Sequence, residues 1–212
     1  MHASATRPIM RPVQASASLR DVTVVFDDRP VLRDVTIDFA PGLTLIRGPN
    51  GAGKTPLLRA IAGLVPLARG ARAIAADPLF IGQRTMLLRA LSARENLIFY
   101  RRFRGLSADG VEAALAAWGI SARDRDRPVE QLSAGERRRA SLARIRTEPL
   151  AIMLLDEPFT ELDDAASSEL RTAIGAARDE GRTVIVATHA HPELDALAGA
   201  TVGLREGRVI VE

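Results

Sequence analysis

Gly48-Pro49-Asn50-Gly51-Ala52-Gly53-Lys54-Thr55 reads G-x-x-x-x-G-K-T. That pattern commits its surroundings to a strand, a glycine-rich turn and a helix. The flanks comply. Leu43-Thr44-Leu45-Ile46 is a short apolar run of strand character, and Leu57-Leu58 and Ile61-Ala62 recur at helical spacing. The physical purpose of such a loop is anion capture. Glycines at 48, 51 and 53 let the backbone wrap a phosphate with its N–H groups inward, and the following helix adds its positive end. Lys54 is placed to reach the outer phosphates, and the Thr55 hydroxyl to ligate Mg²⁺. Composition sharpens this reading. The chain has 29 lysine and arginine residues, and Lys54 is its single lysine. A chain that otherwise uses arginine keeps lysine where a slim point charge must enter a phosphate cradle.

With 212 residues, 47% hydrophobic and 26% charged, the chain is long enough to bury a sizeable core. It has no cysteine, which excludes disulfides and thiolate metal sites. His2, His189 and His191 are too few and too badly spaced for a histidine cage. A net charge of +3 and a pI near 10.4 permit contact with anionic lipid or nucleic acid without requiring either. No apolar run reaches the roughly 18 residues a membrane helix needs, so work at a membrane would require another chain to span it.

Residues 1–17 carry Arg7 and Arg11, two prolines and no acid. They faintly resemble a transit peptide, but are read as a disordered extension before a single domain over 18–212. From Leu19 to Phe39, strand-like runs flank Asp27-Asp28-Arg29-Pro30, predicting an antiparallel hairpin. A short strand is expected over 71–75 and another over 79–82, ending at Gln83. Residues 84 to about 140, with amphipathic stretches at 92–100 and 108–118, predict a helical insert. Ala151 to Leu155 is an unbroken apolar run ending at Asp156-Glu157, as expected of a central parallel strand. A helix over 165–180, a strand over 183–187 ending at Thr188-His189, and a hairpin around Glu206-Gly207 complete an α/β pattern.

Taken together, these motifs resemble the ATP-binding-cassette ATPases over roughly residues 19–212. Leu132-Ser133-Ala134-Gly135-Glu136 is similar to that family's LSGGQ signature, and Asp156-Glu157 to its Walker B end. Gln83 matches the Q-loop glutamine, Asp163 the D-loop aspartate and His189 the switch histidine. Phe26, 28 residues before Lys54, lies near the family's adenine-stacking aromatic. The resemblance implies a P-loop NTPase fold with a mostly parallel core sheet, an N-terminal antiparallel β subdomain and a helical signature subdomain. It implies ATP and Mg²⁺, the metal held by Thr55, Asp156 and Gln83. Glu157 would deprotonate the attacking water, Gln83 would serve the same centre and His189 would donate to the γ-phosphate. Ser133, Gly135 and Asp163 would close on the nucleotide of a second subunit in an ATP-dependent head-to-tail homodimer. Transmembrane transporter subunits would then be the partners, with the chain peripheral on the cytoplasmic face of the inner membrane. Glu95 to Tyr100, the alanine of the signature and Asp156 to Thr160 resemble the ATPase subunits of bacterial haem exporters in cytochrome c maturation.

Some positions depart from the family. Pro56 stands where Ser or Thr is usual, and has neither N–H nor hydroxyl to offer the α-phosphate. Glu136 replaces Gln, Glu161 replaces a small residue, the stretch between Gly70 and Gln83 is short, and the haem-exporter group often has His where this chain has Gln83. Arg101, Arg102, Arg104 and Arg137 to Arg139 are either partner contacts or solvated helix faces. A hydrolysis-impaired nucleotide-dependent module, and a cassette acting on nucleic acid, stay open as alternatives. The latter usually has two cassettes or a long coiled coil, so nucleic acid is the less expected partner.

Overall fold

Aspartates rather than glycines turn the first hairpin. In the computed structural model, which describes residues 16–189 and 191–210, β1 (Ala17–Phe26) pairs antiparallel with β2 (Arg29–Phe39). The loop is Asp27-Asp28, both at positive φ, the type I′ geometry that suits strand twist and that Asp tolerates better than most side chains. Pro30, expected in the turn, sits within β2 opposite Val25. That strand lies at the sheet edge, where a missing donor costs little. Ser16 and Ala17 are ordered by the hairpin, Ser16 N–H bonding Phe39 O at 2.7 Å. The rest of the expected disordered extension, 1–15, lies outside the described residues.

The chain continues through β3 (Gly42–Arg47), α1 (Lys54–Ala62) and β4 (Arg69–Ile74). β4 joins β1 to make a three-stranded antiparallel sheet ordered β2-β1-β4. After β5 (Leu79–Ile81) comes the helical insert: α2 (Ala93–Phe103), α3 (Val111–Ala117), α4 (Ala134–Leu142) and α5 (Arg144–Thr147). The remainder is β6 (Ile152–Asp156), α6 (Asp164–Asp179), β7 (Thr183–Ala187), α7 (Pro192–Asp195), β8 (Ala200–Arg205) and β9 (Arg208–Ile210). The core sheet runs β5-β6-β7-β3-β8-β9 and is parallel except for the terminal β8–β9 hairpin.

Every residue of β6 and β7 is buried, and strand alternation sends neighbours to opposite faces. Met153, Leu155, Val184 and Val186 join a core shared with the helical insert. Ile152, Leu154, Ile185 and Ala187 join a second core with α1 and the antiparallel sheet. An apolar run without polar interruption is what a strand covered on both faces requires.

The insert is fastened at two places. At α2, the Ser92 hydroxyl accepts from Glu95 N–H while the Glu95 carboxylate accepts from Ser92 N–H, a capping box. Buried Asn96 accepts from Leu88 N–H at 2.7 Å and donates to Leu88 O at 3.0 Å, pinning the preceding loop. At the joint with the core, Glu148 is fully buried. It accepts from Arg144 Nε at 2.6 Å and pairs with Arg104 at 3.7 Å. Arg144 lies 3.7 Å over the Tyr100 ring, and Arg104 also donates to Pro78 O at 3.2 Å. One carboxylate therefore pairs with two guanidiniums that link α2 and α5 to the turn before β5, and Asp77 shares Arg104 at 3.4 Å. Removing it leaves Arg144 buried without its counter-charge. Glu148→Ala is expected to destabilise the chain by about 3–5 kcal/mol, read as a lowered urea midpoint.

Candidate nucleotide and hydrolysis site

The phosphate loop leaves β3 and enters α1, and two of its glycines are dictated by neighbouring backbone. Gly48 has φ 154°, and a Cβ there would lie 2.2 Å from Leu204 O of β8. Gly53 has φ 106°, and its Cβ would lie 2.9 Å from Val31 O of β2. Lys54 is buried, its Nζ donating to Gly48 O at 2.8 Å. The first helical hydrogen bond of α1 runs from Leu57 N–H to Gly53 O, so the N–H groups ahead of it are those available to an anion. Lys54 and Thr55 retain theirs; Pro56 has none. The proline removes no bond from the helix, because residue 56 lies ahead of that first bond; Ala52 O accepts from Gly207 N–H at 2.9 Å.

Asp156 closes β6 and is buried. Its Oδ2 accepts from Thr55 Oγ1 at 2.7 Å, whereas Oδ1 is buried with no hydrogen-bond partner. Burial pushes its carboxyl above the usual range, with the Thr55 hydroxyl opposing that rise. A buried carboxylate with one oxygen unused, beside a hydroxyl, fits a hard divalent cation. Among the described residues no group of three or more His, Cys, Asp or Glu could hold a metal, so further ligands would come from phosphate and water.

Glu157 follows in a left-handed backbone conformation, φ 45°, with its N–H bonded to Ala187 O at 2.8 Å. Its Oε1 lies 3.4 Å from Lys54 Nζ and 3.6 Å from His189 Nε2. The carboxylate thus sits between the loop lysine and the histidine at the end of β7. His191, set aside in favour of His189, is the residue preceding α7, and its ring packs on Phe159 at 4.2 Å.

These groups meet in a cleft of about 660 Å³, within the range of ligand sites. Pro49, Asn50, Gly51, Ala52, Gly53, Lys54, Thr55, Gln83, Glu157 and His189 all line it. Gly48 contributes through the carbonyl that holds Lys54, and Asp156 through Thr55. Phe26 does not line the cleft; it is an exposed residue at the end of β1, and the β2 residue on the wall is Val31. Ser133, Gly135 and Asp163 also lie outside it. Ser133 caps α4 in a second capping box, its hydroxyl accepting from Glu136 N–H and its N–H donating to Glu136 Oε2. Those bonds from Ser133 hold the Glu136 carboxyl below its usual range. Asp163 caps α6 through Ala166 N–H at 2.8 Å. The cleft also contains Arg138, Thr160 and Glu161, which sequence reasoning missed. Arg138 stood in a run of three arginines with nothing to separate it from a solvated face, yet it is 1% exposed.

Comparison with known proteins places this architecture. Residues 32–160 match the family model for ABC transporters. The chain is 41% identical to a cytochrome c biogenesis ATP-binding export protein of Cupriavidus metallidurans, covering 75% of this chain and 82% of that protein. It is 36% identical to a protein of the same name from Rhodospirillum rubrum, covering 86% and 82%. The ATP-binding subunit of an ABC transporter superposes with a TM-score of 0.84 at 23% identity over 92% of this chain and 88% of that one. A bacterial ABC transporter cassette, solved as a dimer, gives 0.82 at 23% identity over 92% and 97%. With cleft, signature helix and matched segments in agreement, the chain belongs to the ABC transporter family as an ATP-binding cassette subunit.

Proposed function

We propose that this chain hydrolyses ATP to power an export system serving cytochrome c maturation, with haem as the cargo class. The observation that carries the hydrolytic reading is the Glu157 carboxylate held between Lys54 and His189 over a phosphate-binding loop. Lys54 is paired with Glu157 at 3.4 Å. A nucleotide triphosphate would draw Lys54 onto its outer phosphate oxygens and release Glu157 toward solvent. Glu157 then orients a water and accepts its proton as the water oxygen attacks the γ-phosphorus. The bond to the β-phosphate oxygen breaks, giving ADP and phosphate. His189 donates to the γ-phosphate, and Gln83 on the cleft rim orients groups near the water. Thr55 and Asp156, with Gln83 through water, would hold Mg²⁺, which when bound offsets charge on the phosphate oxygens.

The homodimer is supported by what one copy leaves unused. Ser133 and Gly135 begin α4 without lining the cleft, Ser133 exposed and Gly135 half-buried. Gly135 has ordinary φ, and a Cβ there would meet nothing closer than Glu161 O at 3.5 Å. The chain's own packing therefore does not require glycine at 135; a second copy approaching with its nucleotide would. Partners in the membrane are supported by the insert. Phe99 and Phe103 stack at 6.4 Å and are 43% and 73% exposed, beside Leu91 and Ile98. This apolar face, flanked by Arg102, suits a helix of a transmembrane subunit. Among the described residues no helix is long and apolar enough to cross a membrane. Attachment to the cytoplasmic face of the inner membrane would run through those partners.

Three outcomes test this reading. Glu157→Gln should lower ATP turnover by about 10²–10⁴-fold while the variant still forms an ATP-dependent dimer by light scattering; full activity would overturn Glu157 as the base. Gly135→Val should leave melting temperature and nucleotide affinity near wild type but abolish both dimer and turnover. Pro56→Thr restores an N–H and a hydroxyl to the cradle, and ATP titration should show about a tenfold or greater gain in affinity, since one charge-assisted hydrogen bond is worth about 1.5–3 kcal/mol.

A further inference from the structure

Arg138 belongs to the signature helix α4, five residues after Ser133, but its side chain runs inward under the cleft. It is 1% exposed and has no carboxylate partner among the ion pairs of the described residues. Its donors go to main-chain carbonyls. Nη1 donates to Gly82 O at 2.6 Å, and Nη2 to Glu157 O at 2.8 Å and more distantly to Asp156 O at 3.4 Å. Nε is buried without a partner. Burial pushes the guanidinium pKa down, with Glu161 and Asp156 acting to hold it up. A buried cation matched only to carbonyls is a poor source of stability. What it provides is geometry: a planar fork with donors at fixed angles.

The two carbonyls it clamps belong to the functional loops. Gly82 immediately precedes Gln83. Glu157 occupies a left-handed conformation that a non-glycine residue holds only when its surroundings impose it. The Glu157 N–H is fixed by Ala187 O and its carbonyl by Arg138, so the peptide units on both sides of the strained residue are anchored.

We propose that Arg138 is a positioning residue of the hydrolytic centre. Through one guanidinium it fixes Gln83 and Glu157 to the helix whose first turn carries Ser133 and Gly135. Seating of that helix on a second nucleotide is thereby transmitted to the groups that act on the first. This rests on the reading of Glu157 as the hydrolytic base.

The test uses the full chain and Arg138→Lys, which keeps the charge but not the fork, with Arg138→Met as a second variant lacking both. Turnover, affinity for a fluorescent ATP analogue, melting temperature and backbone hydrogen exchange are measured on each. For Arg138→Lys, turnover should fall about 10²-fold, the scale of a misplaced catalytic group, with affinity within about threefold of wild type. Exchange should quicken in peptides covering 82–86 and 157–161 while that of α1 stays unchanged. Turnover within threefold of wild type, or unchanged exchange in both loops, overturns the proposal. So does a parallel loss of affinity and turnover, which would mark Arg138 as part of the general fold. If wild type itself does not hydrolyse ATP, the ATPase reading fails, and hydrogen exchange alone decides whether Arg138 fixes the two loops.

Discussion

One hydrogen bond joins residues 101 positions apart and sets the rest of the cleft: Thr55 Oγ1 to Asp156 Oδ2. It locks the start of α1 to the end of β6, so the phosphate loop and the acidic strand end face each other at fixed spacing. Its acceptor is an expensive choice. Burial disfavours the Asp156 carboxylate, and one of its oxygens has nothing to bond. A core selected for stability alone would place an apolar residue there. The cleft therefore holds an uncompensated acceptor, Lys54 held by Glu157, and a backbone-strained Glu157. Stability is supplied elsewhere, by β6 and β7 buried on both faces.

The arginine-rich composition acquires a physical logic from the structure. Arg138, Arg144 and Arg182 are all buried, and each uses the planar fork where an ammonium would leave acceptors unmatched. Arg144 reaches both oxygens of Glu148 and stacks on Tyr100. Arg182 donates to Leu150 O at 2.7 Å at the start of β7. Lys54 does the opposite task. Its single charge is held by the Gly48 carbonyl and Glu157, and in the proposed reaction it would leave both for a phosphate, which suits a flexible chain ending in one small ammonium.

The phosphate loop, the buried strands and the helix from Ser92 were legible because each is written locally. Glycines at fixed spacing, an apolar run before Asp156, and amphipathic spacing from Ser92 all have their cause within a few positions, and the capping boxes at Ser92 and Ser133 that the structure adds are equally local. That Glu157 and His189 are carried to one cleft was legible for the same reason, as both follow apolar strands. What escaped is non-local. That Arg138 is buried while Arg137 is not depends on which face of α4 meets Gly82 and Glu157, and α4 has no apolar stripe to announce it. Phe26 is exposed at the end of β1, beside the I′ turn, while Val31 of β2 stands on the cleft wall, a placement that spacing from Lys54 does not give. The clamp of Gly207 on Ala52 is beyond any reading of a sequence, since it depends on the last hairpin folding back over the first sheet.

That hairpin also reaches the loop beside Pro56. Residue 56 lies ahead of the first helical hydrogen bond, Leu57 N–H to Gly53 O, so a proline there takes no bond from the helix. Ala52 O accepts from Gly207 N–H at 2.9 Å, and Gly207 approaches so closely that a Cβ would sit 2.6 Å from Val31 O. The tip of the β8–β9 hairpin is thus wedged between β2 and the phosphate loop, and Arg33 N–H bonds Gly207 O at 2.8 Å to hold it there. Helix closure therefore asks nothing of residue 56, whereas the anion-facing side of the cradle lacks the N–H and the hydroxyl that a serine or threonine would offer there. The proline bears on anion capture alone, because the carbonyl one helical turn back, Ala52 O, is supplied by the last hairpin.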